Sequence, residues 1–244
     1  MQEVTGHIYS VTNRFSSYLY LKNTNADLLQ RIALLETENY AYRRSFANLL
    51  NDSEPFYAGI IDSTIYNFTP AQVVKNSISL QENYLMLDKG SNDGIQPNMG
   101  VLSANGIVGV IVNTSSHFSV AISLLNTKYK PNGKIKRDSY DYFGPLVWDG
   151  KDVQYTFLTE LPRHVVFAIG DTVVTSGYSA IFPQGIPIGS IVEDAQRLQD
   201  DNYASIRIRL FTDFNKLNHV LIVSNRFQNE EQELEEQTLN LKFY

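Results

Sequence analysis

Proline and glycine punctuate only one part of this chain, and that distribution limits its fold more than any other feature. All 8 prolines lie between positions 55 and 187, and all but one of the 14 glycines lie between 59 and 189. A helix interior tolerates neither residue well, whereas short strands joined by tight turns need both. The intervening apolar runs predict strands at Tyr57 to Tyr66, Tyr84 to Leu87, Val101 to Ala104, Ile107 to Val112, Ser119 to Leu124, Gly133 to Lys136, Gly144 to Trp148, Val153 to Phe157, Thr172 to Thr175, Ile188 to Val192, Ser205 to Phe211 and Val220 to Val223. So many short strands exceed one small barrel and suit two. Asn105-Gly106 predicts a two-residue hairpin with positive φ at both positions. Ile206, Ile208 and Leu210 alternate with Arg207 and Arg209, which predicts one buried and one solvated face.

The stretch GDTVVTSGYSAIFPQGIPIGSI, residues 170 to 191, concentrates these signals and carries almost no charge. Gly177, Gly185 and Gly189 supply places where φ can turn positive or a second backbone can come close. Pro183 and Pro187 lack a ladder donor and belong at strand starts, edges or turns. No lysine-bearing glycine loop opens a helix here, so phosphate binding of that kind is not indicated.

Four blocks resemble the extracytoplasmic region of the rod-shape-determining MreC family: ENYLMLDKGSNDGIQPNMGV (82 to 101), NGIVGVIVNTSSHFSVAISLL (105 to 125), GDTVVTSGYSAIFPQGIPIGSIV (170 to 192) and RIRLFTDFNKLNHVLIV (207 to 223). The resemblance implies a coiled coil followed by two small β-barrels without an active catalytic triad. It also implies a membrane-tethered, non-enzymatic scaffold of cell-wall elongation at the periplasmic face of the bacterial inner membrane. The partners it implies are a class B penicillin-binding transpeptidase, the integral membrane protein MreD and, indirectly, the actin-like MreB. Members of the family carry a transmembrane helix ahead of the coiled region. No apolar run of that length occurs here, so this chain is expected to be a soluble truncation whose anchor is missing.

The resulting fold class is mainly β with a long N-terminal α-helix. Residues 1–20 form a juxtamembrane-type segment, in which Tyr9, Phe15, Tyr18 and Tyr20 suit either a bilayer interface or the first turns of a helix. Residues 21–52 form a coiled-coil helix. Residues 56–224 hold two small six-stranded-type barrels, free to interlace, with a junction near 125–135. Residues 225–244 form an acidic tail.

The helix rests on a heptad repeat. Leu21, Leu28, Leu35, Tyr42 and Leu49 occupy d, while Asn25, Ile32, Asn39 and Phe46 occupy a. Asparagine at a fixes register and favours a parallel pair, because two facing amides satisfy each other. Arg31 and Glu38 at g face Glu36 and Arg43 at e of a parallel partner. Each such exposed pair is worth at most about 1 kcal/mol and selects orientation more than stability. The expectation is a parallel homodimer. Leu29 and Leu50, apolar at e, leave open an amphipathic helix folded back on its own β region. The helix is expected to stop at Asn51-Asp52-Ser53-Glu54-Pro55.

Composition narrows the chemistry. Of the net charge of -6, residues 228 to 244 supply -4 through five glutamates and one lysine. The near-neutral remainder has no basic stripe for nucleic acid. With no cysteine, thiolate catalysis, zinc-thiolate sites and disulfides are excluded. His7, His117, His164 and His219 fall in no zinc-binding spacing, and Asp88, Asp93 and Asp171 lie in DKG, NDG and GDT turns where a capping acceptor is expected. No metal or cofactor is assigned. Ser176 with His117 or His164 and Asp171 is the one constellation a serine hydrolase could use, but no nucleophile elbow is present. A β-barrel hydrolase on a coiled-coil stalk is therefore the alternative to the scaffold. Tyr178, Ile181, Phe182, Pro183 and Ile186 lie in a pinned loop where polar residues are the rule, which makes them candidate partner-binding residues; burial against an adjacent barrel layer is the other reading. The glutamate-rich tail, 229 to 239, reads as a solvated charge run.

Overall fold

The computed structural model describes residues 24–38, 65–137, 142–179, 181–193, 196–197 and 203–241. Helix α1 covers residues 24–38. Of its heptad seam positions among the described residues, Leu28, Ile32 and Leu35 are 48%, 36% and 62% exposed, whereas Ala33 is buried. Arg31 pairs with Asp27 of its own helix at 3.5 Å, a fully solvated contact. Among the described residues no helix is long and apolar enough to cross a membrane. Leu21, Asn39, Tyr42, Phe46, Leu49, the stop near Pro55 and most of the strand expected from Tyr57 lie outside the described residues.

The β region contains strands β1 (Tyr66–Asn76), β2 (Glu82–Leu87), β3 (Gly100–Leu102), β4 (Ile107–Thr114), β5 (Ser119–Asn126), β6 (Asn132–Ile135), β7 (Phe143–Val147), β8 (Tyr155–Pro162), β9 (Thr172–Thr175), β10 (Pro187–Ile191), β11 (Gln196–Arg197), β12 (Tyr203–Leu210) and β13 (His219–Asn225), followed by helix α2 (Gln228–Leu241). They build two closed six-stranded barrels. The first runs β1-β13-β3-β4-β5-β2. The second runs β10-β9-β6-β7-β8-β12 and closes by pairing of β12 with β10, while β11 extends one end of β12. In sequence the whole second barrel lies between β5 and β13 of the first.

Alternation fills both interiors. Leu85, Leu87, Val101, Ile111, Ala121 and Ile222 are at most 1% exposed in the first barrel, as are Ile135, Leu146, Leu158, Val173, Ile188, Ile206 and Ile208 in the second. The predicted alternation on β12 holds: Ile206 and Ile208 are fully buried, while the Arg207 guanidinium sits 4.1 Å over the Tyr155 ring and donates to Glu193 at 2.7 Å. At the bottom of the first barrel Asn83 is fully buried. Its Nδ2 donates to the Leu80 and Leu125 carbonyls at 2.7 and 2.6 Å, and its Oδ1 accepts from the Leu80 amide at 3.0 Å.

Three expectations change. β1 extends to Asn76 through Pro70 and several polar residues, and that mixture hid it from a search for apolar alternation. The Asn105-Gly106 turn has no positive φ at either residue. The Ser103 hydroxyl accepts from both amides at 3.2 and 3.1 Å, and Gly106 is needed because a Cβ there would stand 2.7 Å from the Pro187 carbonyl of the other barrel. The acidic tail is helical over Gln228–Leu241, because Asn225 Oδ1 accepts the Phe227 amide, Gln228 Nε2 donates to the Asn98 carbonyl at 2.6 Å, and Glu230 and Glu231 sit at the positive end of the helix.

Replacing Asn83 by alanine strips partners from three backbone groups, two of Leu80 in the turn before β2 and one of Leu125 on the neighbouring β5. Since each buried unsatisfied group costs about 1–3 kcal/mol, Asn83→Ala is expected to lose at least about 2 kcal/mol in denaturant unfolding. A change below half that value would show the network to be dispensable.

Candidate functional site

The loop between β9 and β10 is built from its base upward. Thr175, the last residue of β9, donates through Oγ1 to the Pro183 carbonyl at 2.6 Å and accepts from the Ile186 amide at 2.9 Å. Gly177 (φ 81°) and Gly185 (φ 88°) turn the chain where other residues would be strained. Ser176 Oγ accepts from the Tyr178 amide and Ser179 Oγ from the Ile181 amide. The loop is thus stiffened by its own hydroxyls.

The structure divides the five candidate loop residues. Tyr178 is 69% exposed. Ile181 and Ile186 are half-buried, and Phe182 and Pro183 are buried. Phe182 is only 4% exposed, with its ring over Gly100 of β3: a Cβ at Gly100 would come within 2.6 Å of the Phe182 ring and 2.7 Å of Val223. Phe182 and Pro183 therefore pack inside the molecule, and a charge placed at Phe182 would disturb the fold.

One residue joins the site without having been expected there. Phe143, at the start of β7, is 50% exposed and packs on Tyr178 with ring centroids 5.2 Å apart. Lys134 of β6 is opposite both Phe143 and Val174, which places those three side chains on the outer wall of the barrel. Phe143 precedes the glycine at which the sequence pattern begins to read as a strand, and only the register reveals its direction. The outer wall thus carries an exposed aromatic pair on rigid supports.

The residues of the hydrolase reading are not assembled. Ser176 is buried, and its hydroxyl accepts from the Tyr178 amide. Asp171 accepts from Arg137 Nε at 2.9 Å and the Ala168 amide at 2.8 Å. His164 lies edge-on to Tyr142, with ring centroids 6.3 Å apart. Among the described residues no hydrogen bond links Ser176, Asp171 and a histidine, and no three His, Asp or Glu side chains gather as a metal site. Asp93 caps its turn through the Gly90 amide, whereas Asp88 accepts from the Gln72 amide of β1, sixteen residues away, and caps no turn of its own. The Gly90 amide and then Lys89 hold the Asp93 carboxyl below the usual carboxylate range.

A double barrel in which the second is inserted before the last strand of the first is matched, over residues 73–224, by the family model described as rod shape-determining protein MreC, barrel core. The chain belongs to the MreC family. It is 26% identical over 227 residues to the cell shape-determining protein MreC of Listeria monocytogenes, covering 88% of this chain and 70% of that protein. A solved MreC structure from the same organism superposes with a TM-score of 0.64 at 26% identity, over 81% of this chain and 92% of its own. The MreC in a solved complex between penicillin-binding protein PBP2 and MreC from Helicobacter pylori shares the fold, with a TM-score of 0.53 at 17% identity, over 66% of this chain and 99% of its own.

The two aromatic positions of the loop separate by their burial. Phe182→Ala is expected to cost about 3–5 kcal/mol in denaturant unfolding, and Tyr178→Ala less than about 1 kcal/mol. Equal effects would refute the assignment of Tyr178 to the surface and Phe182 to the interior.

Proposed function

We propose that this chain is a non-enzymatic, dimeric scaffold of the cell-wall elongation machinery at the extracytoplasmic face of the cytoplasmic membrane. In this reading it binds and activates a class B penicillin-binding transpeptidase through the Phe143–Tyr178 face. MreD and, through the membrane, MreB are the further partners that membership of the family suggests. The single observation that carries the docking role is the ring contact between two exposed aromatic residues, Phe143 and Tyr178, presented by adjoining elements of the second barrel. Aromatic residues held on rigid supports bury much area at little entropic cost, which is what interface anchors require. The complex of the Helicobacter pylori relative with PBP2 supports the choice of partner class.

Pairing of two copies through α1 rests on the heptad spacing and on the exposure of Leu28, Ile32 and Leu35 among the described residues. The separate positions of Ser176, Asp171 and the histidines speak for binding over catalysis.

Two measurements test these statements. Titration calorimetry with the extracytoplasmic portion of the cognate transpeptidase is expected to show affinity falling tenfold or more for Tyr178→Asp and for Phe143→Asp, with unfolding transitions intact. Unchanged affinity in both would dismiss this face. Sedimentation equilibrium is expected to give a dimer that Ile32→Asp converts to a monomer; a monomer at high concentration before any substitution would remove the pairing.

A further inference from the structure

The two barrels are joined covalently by the segments 127–131 and 211–218, and Gln81 Nε2 of the first donates to the Gly150 carbonyl of the second at 3.4 Å. Near the second crossing, Ser103 Oγ meets Thr212 Oγ1 at 2.9 Å, and the Pro187 carbonyl lies against Gly106. The contact of Phe182 with Gly100 is of another kind. Gly100 has no positive φ, so its lack of a side chain is needed for space. It is opposite Val223 on one side and Val110 on the other, and the ring of the second barrel fills the gap that its missing Cβ leaves between them. Phe182 is thereby a key and Gly100 a socket.

The key sits on the same loop as Tyr178, four residues away. The described residues on either side of position 180 are held in place. Ser179 Oγ accepts from the Ile181 amide, Pro183 has a fixed φ, and Thr175 holds the Pro183 carbonyl and the Ile186 amide. A shift of Phe182 out of its socket must move the backbone that presents Tyr178.

We infer that seating of Phe182 on Gly100 is a latch that sets the inclination of the two barrels and holds the Tyr178 loop in the form a partner recognises. This inference rests on the docking role of Tyr178 proposed above, and it assigns to two residues that touch no partner the control of that site. Because linkage is reciprocal, a partner bound at Tyr178 tightens the latch by the same factor by which the latch improves partner affinity.

The chain contains no cysteine, so Lys75→Cys in the first barrel and Lys151→Cys in the second, both at exposed positions, accept spin labels without background. Electron–electron double resonance on this pair is expected to give a narrow distance distribution that broadens on Phe182→Ala and on Gly100→Ala and stays narrow with Phe182→Leu. Calorimetry with the transpeptidase is expected to show affinity falling between about five- and a hundredfold for the same two variants, the usual range of coupling between sites. Should Phe182→Ala fail to fold, Gly100→Ala leaves the second barrel's sequence intact and carries both readouts. A distribution unchanged in these variants overturns the latch, and a broadened one with full affinity overturns its link to binding. Tyr178→Ala separates the two proposals, since it is expected to lose affinity with the distances unchanged. If it keeps full affinity the docking role fails, and the distances still judge the latch.

Discussion

Strands of two to eleven residues leave a row of unpaired amides and carbonyls along each free edge of a sheet, and closure removes both edges. Pairing of β1 with β13 closes the first barrel, and pairing of Gly189, Ser190 and Ile191 with Leu210, Arg209 and Ile208 closes the second. With only six strands the wall curves sharply, and some neighbouring backbones come too close for any side chain between them. Glycine occurs inside strands at such places: a Cβ at Gly109 would collide with the Ile122 carbonyl, at Gly144 with that of Thr159, and at Gly189 with that of Arg209. The glycine content of the region follows from curvature as much as from turns.

Closure of the first barrel also depends on the second. β13 must insert between β1 and β3, yet it is separated from them by all the residues of β6 to β12. Closing so long a loop costs chain entropy before any ladder bond rewards it. A prefolded second barrel shortens that loop, since it brings residues 127 and 218 to fixed positions. The packing of Phe182 on Gly100, Val223 and their neighbours then rewards the arrangement, because Val223 belongs to the strand that arrives last.

Alternation and turn chemistry made most of this architecture legible in advance. Strand β9 is read at its observed limits, and β2, β4, β5, β10 and β12 are read to within two residues, because each has one inward face and flanking turn residues. What escaped depends on groups distant in sequence. The tail becomes helical through Gln228 and Asn98, 130 positions apart, and a charge count cannot see that bond. Gly106 looks like a hairpin glycine, and only the other barrel's Pro187 reveals why it is there. Tyr178 and Phe182 are indistinguishable as exposed or buried in a string of letters. The glycine that accepts the Phe182 ring lies far upstream, and nothing local marks it as a socket.

A closed barrel offers a partner little edge for an added strand, since only the two-residue β11 lies outside the closed order. Recognition must then come from side chains on the outer wall and from loops, and a wall of this kind is normally polar. An aromatic pair held by β7 and by a loop pinned at Thr175 departs from that rule in the second barrel, as Tyr203 of β12 does singly. The same argument applies to α1, where the side that carries Leu28, Ile32 and Leu35 is left open although Ala33 is covered. Exposed apolar positions at heptad spacing are what a second copy in register would cover. Two copies joined there would present two aromatic faces, and simultaneous engagement of both would raise the apparent affinity for a clustered partner without any new contact.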